Sequence, residues 1–291
     1  MSIQVYLLNS RSLILLFKVL LIAGINFGCT SIEKHDQLNG VNFNSVSDAK
    51  HTMHYAYSGD ISKQGILFVH GTPGGWSAFV DYLNNPELQQ HFFMVSVDRL
   101  NWGKSSSQQE LSFDQQIDAM SLVLENHENK KWIIVGHSLG ASIAPKFALN
   151  HPNSIAALVL LAGSLSPKLG KPRWYNRFAN TSLLNWLVPS KLQRANIEIM
   201  ALEEELTIMN EQILSSQIDN PVVVIQGMKD KLVSPKNAQF ITNNWQNNIK
   251  NLEVIQLTEE GHFLPWRQTE LIIQSLKKLD HCLNTSDSKE C

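Results

Sequence analysis

The chain has 291 residues, of which 43% are apolar, and a formal net charge of −2. That length and apolar content suit one large α/β domain or two small ones, and the near-neutral charge excludes a broad basic surface for nucleic acid. The three cysteines, Cys29, Cys282 and Cys291, have no histidines at zinc-like spacing. The sequence therefore predicts no metal site, and it predicts no cofactor because nucleotide-binding glycine patterns are absent.

The N-terminal residues 1–29 have the pattern of an export signal, with a positively charged flank, a short apolar run at 19–25 and a small residue before Cys29. Cys29 resembles the lipidated cysteine of a bacterial lipoprotein signal, although Asn26 and Phe27 depart from the usual residues before it. We expect an exported protein of the cell envelope, anchored to the membrane through lipidated Cys29. Plain secretion and an uncleaved N-terminal anchor are the alternatives.

The rest of the chain divides into three parts by composition. Residues 30–50, rich in Ser, Asn, Asp and Gln, predict a polar tether. Apolar runs alternate with helical patterns over 51–281, which predicts the folded domain, and the polar residues 282–291 predict a C-terminal tail. In an exported protein Cys282 and Cys291 could form a disulfide, and two free thiols are the alternative.

Short runs that are rich in apolar residues predict strands at 51–57, 66–69, 92–97, 132–135, 157–161, 222–225 and 252–255. Between them, amphipathic patterns predict helices at 76–84, 112–127, 139–150, 235–245 and 268–280. This alternation predicts an α/β fold with a mostly parallel central sheet flanked by helices. Functional side chains are then expected in the loops after the carboxyl ends of the strands.

One long segment interrupts this alternation. Residues 164–219 contain no strand-like run, and a helical pattern extends over 190–216. We predict a small helical lid inserted between two strands. The alternative is a set of surface helices without a gating role.

The segment Gly-His-Ser-Leu-Gly at 136–140 follows a predicted strand and opens a predicted helix, as a nucleophile elbow requires. Glycine is needed at both ends because side chains two residues before and after the serine would collide. The turn would lift the Ser138 hydroxyl above the sheet and place the Leu139 amide where it can stabilise an oxyanion. Pro145 should kink the following helix.

Two further motifs accompany the elbow: His-Gly-Thr-Pro-Gly at 70–74 and Asp-Arg-x-x-x-Gly-x-Ser at 98–105. Together the three motifs resemble the α/β-hydrolase superfamily over about residues 50–280, in that family's order and spacing. The resemblance implies the α/β-hydrolase fold and a catalytic triad in the order Ser, Asp, His.

The triad order points to Ser138, Asp230 and His262. His262 follows the last predicted strand, and Asp230 follows the strand at 222–225, where the family has its histidine and its acid. After the preceding strand the chain reads Ala-Gly-Ser at 162–164, so no carboxylate competes with Asp230. A neutral imidazole would take the proton of the serine, and the aspartate would hold that imidazole in one tautomer.

The second oxyanion amide is expected from the loop after the strand at 66–69, from the backbone N–H of Thr72. Pro73 has no amide hydrogen and cannot serve. Asp98 and Arg99 are expected to brace loops near the site rather than to bind substrate.

A serine nucleophile favours acyl-enzyme chemistry, whereas epoxide hydrolases and haloalkane dehalogenases of the family carry an aspartate at this place. We predict a carboxylic ester hydrolase acting on a small-molecule substrate. The alternatives are a proline-iminopeptidase-like enzyme, which has a related His-Gly-Gly-Pro-Gly loop, a carbon–carbon bond hydrolase or an acyltransferase. A non-catalytic binding module is a more distant alternative.

Overall fold

A computed structural model describes the chain over residues 38–107, 112–127, 130–181 and 188–285. The expected export signal with Cys29, and also Cys291, lie outside these ranges. Within them, every helix is too short or too polar to cross a membrane.

A single eight-stranded sheet forms the centre of the described residues, in the order β1-β2-β4-β3-β5-β6-β7-β8. The β1–β2 and β2–β4 pairs are antiparallel, and the remaining pairs are parallel. The strands are β1 Asn42–Ser47, β2 Thr52–Gly59, β3 Gln64–Val69, β4 Phe92–Val97, β5 Trp132–His137, β6 Ile155–Leu161, β7 Val222–Gly227 and β8 Leu252–Leu257. The predicted α/β fold with a mostly parallel sheet is confirmed.

Helices cover both faces of this sheet. They are a 3₁₀ helix Trp76–Phe79, α1 Val80–Leu83, α2 Pro86–His91, α3 Phe113–Glu125, α4 Leu139–Ile143, α5 Pro145–Asn150, α6 Trp174–Ala179, α7 Ser190–Leu214, α8 Lys236–Asn244, α9 Leu264–Arg267 and α10 Thr269–Asn284. One apolar cluster joins the sheet to α3, α4, α5, α7 and α8, and a second joins it to α1, α2 and α10. Strands β4 to β7 are fully buried between these layers, which explains their continuous apolar runs.

Two boundaries and one helix differ from the sequence-based expectations. Residues 42–47, which were predicted to belong to the polar tether, form the exposed edge strand β1. Cys282, which was predicted to begin the tail, lies buried in the last part of α10. Helix α2 was not predicted. Where a kink was predicted, the helix after Ser138 is interrupted at Ala144 and resumes at Pro145, which has no amide donor.

The expected lid segment contains α6 and the 25-residue helix α7. No strand occurs in the described residues between 164 and 219. Asn237 in α8 fixes the start of this segment, because its Oδ1 atom accepts hydrogen bonds of 2.9 Å from the amides of both Leu165 and Ser166. The Asn237 side chain is 1% exposed, so these bonds are made away from water.

We expect Asn237→Ala to lower the free energy of unfolding by about 2–3 kcal/mol, because it leaves two buried amides without an acceptor. Urea denaturation would measure the change. Asn244→Ala at the exposed end of the same helix is the matched control, with an expected change below about 0.5 kcal/mol. Equal losses in the two variants would contradict the role assigned to Asn237.

Candidate active site

Ser138 lies between β5 and α4, with φ 55° and ψ −118°. A non-glycine residue with positive φ is uncommon, and such strain is concentrated at functional sites. The turn is packed too tightly for side chains at its ends: a Cβ atom on Gly136 would lie 2.4 Å from the Gly140 carbonyl oxygen. The turn leaves Ser138 partly exposed while its neighbours are buried. These features are those of a nucleophile elbow.

The loop after β3 lies directly against this serine. A Cβ atom on Gly71 would meet the Ser138 Cβ atom at 2.9 Å and the Ser138 Oγ atom at 3.4 Å. Thr72 is the next residue in this loop. Leu139 is the first residue of α4, and the first amides of a helix have no acceptor within the helix.

Asp230 and His262 are in direct contact, with 2.8 Å between the carboxylate Oδ2 atom and the ring Nδ1 atom. Both residues are buried. The other carboxylate oxygen accepts hydrogen bonds of 2.8 Å from the amides of Leu232 and Val233. A carboxylate that only accepts hydrogen bonds requires the proton on Nδ1, which leaves Nε2 of His262 with a free electron pair.

These contacts also set the charge of the acid. Burial alone would raise the pKa of Asp230, but the hydrogen bond and charge of His262 and the two backbone amides lower it below its usual value. Asp230 is therefore ionised near neutral pH, as a group that orients a histidine must be.

His137 joins the elbow to His262. Its Nε2 atom donates a hydrogen bond of 2.9 Å to the carbonyl oxygen of His262, and the two ring centroids are 4.9 Å apart. Because His137 immediately precedes Ser138, this bond holds the His262 loop beside the elbow. The structure thus pairs Asp230 with His262 and ties the His262 backbone to the residue that precedes Ser138.

The Arg99 side chain holds the loop that contains Gly71, and the Asp98 side chain holds the backbone at Trp76. Arg99 donates to the carbonyl oxygens of His70 (2.9 Å) and Gly71 (3.1 Å). Its guanidinium also forms a buried ion pair with Glu198 of helix α7, with 2.7 Å between Nη1 and Oε1. The Asp98 carboxylate accepts from the amide of Trp76 at 2.9 Å, among other bonds. The expected structural role of Asp98 and Arg99 agrees with these contacts.

The α/β-hydrolase fold profile matches residues 65–190, which include the elbow, the Gly71 loop and the Asp98-Arg99 turn. The chain has the α/β-hydrolase fold, and the family match covers this central part of it. An sn-1-specific diacylglycerol lipase of Danio rerio is 22% identical over 191 residues, covering 66% of this chain and 59% of the relative. Epoxide hydrolase 3 of Mus musculus is 29% identical over 114 residues, covering 38% of this chain and 30% of the relative. The chain thus matches about a third to three fifths of the length of these relatives.

Solved structures share the α/β-hydrolase fold. A membrane phospholipase A described as a bacterial virulence factor superposes with a TM-score of 0.63 at 17% identity, covering 96% of this chain and 100% of that one. A putative lipase from Acinetobacter baumannii gives 0.61 at 18% identity, covering 87% and 96%. At these identities the likeness concerns the fold alone.

The sequence did not reveal Glu198 as part of this site, nor the hydrogen bond from His137 to the His262 carbonyl oxygen. Glu198 lies in a stripe of buried positions on α7 formed by Ala195, Leu202 and Leu206, at spacings of three and four residues. An acidic residue inside such an apolar stripe is the signal that could have identified it as buried. Its partner Arg99 is 99 residues away, so no local pattern indicates the pairing.

Two buried histidines should make the stability depend on pH. Burial, followed by the nearby charge of His262, lowers the pKa of His137 to about 3. Burial also holds the pKa of His70 well below its usual value. Both histidines are neutral in the folded protein, whereas the unfolded chain takes up protons below about pH 6.5. The stabilisation from the two neutral histidines is therefore complete above that pH. It is lost as the pH falls toward their pKa values in the folded protein.

We expect the free energy of unfolding to fall by about 1.4 kcal/mol per pH unit for each of these histidines between about pH 6 and 4. His137→Gln keeps a donor for the His262 carbonyl but cannot take up a proton. In this variant the slope of the unfolding free energy against pH should be smaller by about 1.4 kcal/mol per pH unit. Urea titrations at several pH values would measure it. An unchanged slope would contradict the buried neutral state of His137.

Proposed function

We propose that this protein is a serine hydrolase that cleaves carboxylic esters of small molecules by acyl-enzyme chemistry. In this proposal Ser138 is the nucleophile, His262 the general base and acid, and Asp230 the residue that orients His262. The observation that carries it is the buried 2.8 Å contact between His262 and Asp230 beside the strained elbow of Ser138.

The reaction would proceed in two stages. Nε2 of His262 takes the hydroxyl proton as the Ser138 Oγ atom attacks the ester carbonyl, and the backbone amides of Leu139 and Thr72 stabilise the resulting oxyanion. The tetrahedral intermediate collapses, the C–O bond breaks, and the alcohol leaves with the proton from His262. Water, deprotonated by His262, then attacks the acyl-enzyme and releases the carboxylic acid and free Ser138.

A serine nucleophile fits the activities of some relatives better than those of others. A serine yields an acyl-enzyme that water can hydrolyse, which suits the lipase-like relatives better than the epoxide hydrolases. One observation favours a second candidate: the His-Gly-Thr-Pro-Gly loop at 70–74, together with 28% identity over 120 residues to a probable proline iminopeptidase of Leptolyngbya boryana. An N-terminal proline peptidase is therefore the second candidate function.

The test combines a fluorophosphonate probe with two substrate series, p-nitrophenyl esters of increasing chain length and arylamides of proline and alanine. We expect the probe to label the wild type but not Ser138→Ala, and hydrolysis to favour the esters. Preferential cleavage of the proline arylamide would replace the ester proposal with the peptidase. Equal labelling of both proteins, or no labelling of the wild type, would overturn the serine-hydrolase proposal altogether.

We further propose that the protein is exported and anchored through a lipid on Cys29, which follows the apolar run at 19–25. Metabolic labelling with radioactive palmitate should mark the wild type and not Cys29→Ser. Labelling of both proteins, or of neither, would contradict lipidation at this residue.

A further inference from the structure

The start of the lid segment carries an unusual surface charge for a chain with a net charge of −2. Between Ser166 and Ile197 the sequence contains six lysines and arginines and no aspartate or glutamate. Helix α6 lies within this stretch. A local excess of one sign on a nearly neutral protein indicates a surface that meets an oppositely charged partner.

Helix α6 exposes two large aromatic side chains, Trp174 with 61% and Phe178 with 51% of its surface accessible. They are four residues apart and therefore lie on the same side of the helix, with the exposed Arg177 next to them. The opposite side is attached to α7, because Asn176 donates a hydrogen bond of 2.9 Å to Asn196. The outward side of α6 is thus both aromatic and cationic.

The loop that carries Asp230 continues this surface. Arg173 donates to the carbonyl oxygens of Lys231 (3.2 Å) and Leu232 (3.1 Å), which fixes the start of α6 against that loop. Leu232 is 58% exposed. We define the basic apolar face by its exposed cationic and apolar residues: Arg173, Trp174, Arg177, Phe178, Lys231 and Leu232.

Among the residues that the structure describes, no acidic side chain neutralises Arg177 or Lys231 of this face. In contrast, the neighbouring Lys171 and Lys229 form ion pairs with Glu203 and Glu259. Asp230, which precedes Lys231, is buried and points to His262. The face therefore offers positive charge and exposed apolar surface together.

We propose that the basic apolar face docks on the surface of an anionic phospholipid bilayer. The guanidinium and ammonium groups would contact lipid phosphates, while the indole, the phenyl ring and Leu232 would enter the boundary between headgroups and acyl chains. This arrangement brings the Asp230 loop, and with it the candidate active site, to the membrane surface. The proposal does not depend on the bond that the enzyme cleaves.

Hydrogen–deuterium exchange on the full chain can test this docking locally, whatever the N-terminal segment does at a membrane. Vesicles of phosphatidylcholine with about 30% phosphatidylglycerol are compared with pure phosphatidylcholine. We expect slower exchange over α6 and residues 231–232 with the anionic vesicles only, and loss of this protection at high salt. Unchanged exchange in this segment with both vesicles, or equal protection by both, would overturn the proposal.

Two double variants identify the residues responsible. Arg177→Glu with Lys231→Glu, and Trp174→Ala with Phe178→Ala, should each lower the affinity measured from this protection by at least about tenfold. The matched control is Ile208→Ala with Leu214→Ala, which removes 41% and 52% exposed side chains elsewhere on the lid segment. It should leave the protection unchanged. Wild-type protection in both face variants, or an equal loss in the control, would contradict docking through this face.

Discussion

Replacing Ser138 by alanine is expected to lower kcat/KM for the best ester substrate by about a million-fold. The hydroxyl is the only protein group in the proposed reaction that forms a bond to the acyl carbon, so its loss removes the acyl-enzyme entirely. The side chain is small and partly exposed, so the variant should unfold at nearly the same denaturant concentration as the wild type. Initial rates together with urea denaturation would measure both quantities.

The double variant Ser138→Ala with His262→Ala provides the sharper test. Residues that act as one unit lose their whole effect when either is removed, so the double variant should be no slower than either single one. Additive losses would mean that His262 acts independently of Ser138, and the proposed proton transfer between them would be wrong. A Ser138→Ala protein with wild-type rates would contradict the nucleophile itself.

The proposed constellation of Ser138, Asp230 and His262 could be predicted from the sequence because its signals are local. The elbow needs glycines at fixed distances from Ser138, and Asp230 and His262 each follow a continuous apolar strand. Parallel strands have all their carboxyl ends at one edge of the sheet, so residues after β5, β7 and β8 meet there whatever their separation in the chain. The fold could be predicted for the same reason, from strands that are buried on both faces.

The parts that could not be predicted depend on tertiary contacts. Strand β1 has an exposed, polar sequence, so it shows neither a continuous apolar run nor an apolar alternation. It forms because β2 offers an unpaired edge of backbone donors and acceptors. Likewise, the burial of Glu198 depends on how α7 packs over Arg99. The pairing of these two charges follows from the fold and is not visible in either local sequence.

Glu198→Ala is expected to be the most destabilising single change in the lid segment, with a loss of about 3–5 kcal/mol. The Arg99 side chain is fully buried, and Glu198 is its buried counter-charge in the described structure. The same carboxylate also accepts a hydrogen bond of 3.2 Å from the indole nitrogen of Trp102. Alanine would leave a buried cation and a buried donor without their acceptor.

Glu198→Gln is expected to cost less than the alanine change, because the amide keeps one oxygen that can accept from Arg99. Glu204→Ala, at an exposed position of the same helix, is the matched control with an expected change below about 0.5 kcal/mol. Urea denaturation would rank the three variants. A Glu198→Ala protein as stable as the control would show that the ion pair does not hold α7 on the domain.

Glu198→Ala should also lower kcat more than it changes KM. Arg99 fixes the carbonyl oxygens of His70 and Gly71, and the next residue, Thr72, is proposed to supply an oxyanion amide. A displaced amide weakens binding of the transition state more than binding of the ester, so kcat should fall by about tenfold or more with little change in KM. Steady-state kinetics of Glu198→Ala at a temperature where it is folded would measure this. An increase in KM with unchanged kcat would instead place Glu198 in support of the substrate pocket, and the ion pair would then not serve the oxyanion loop.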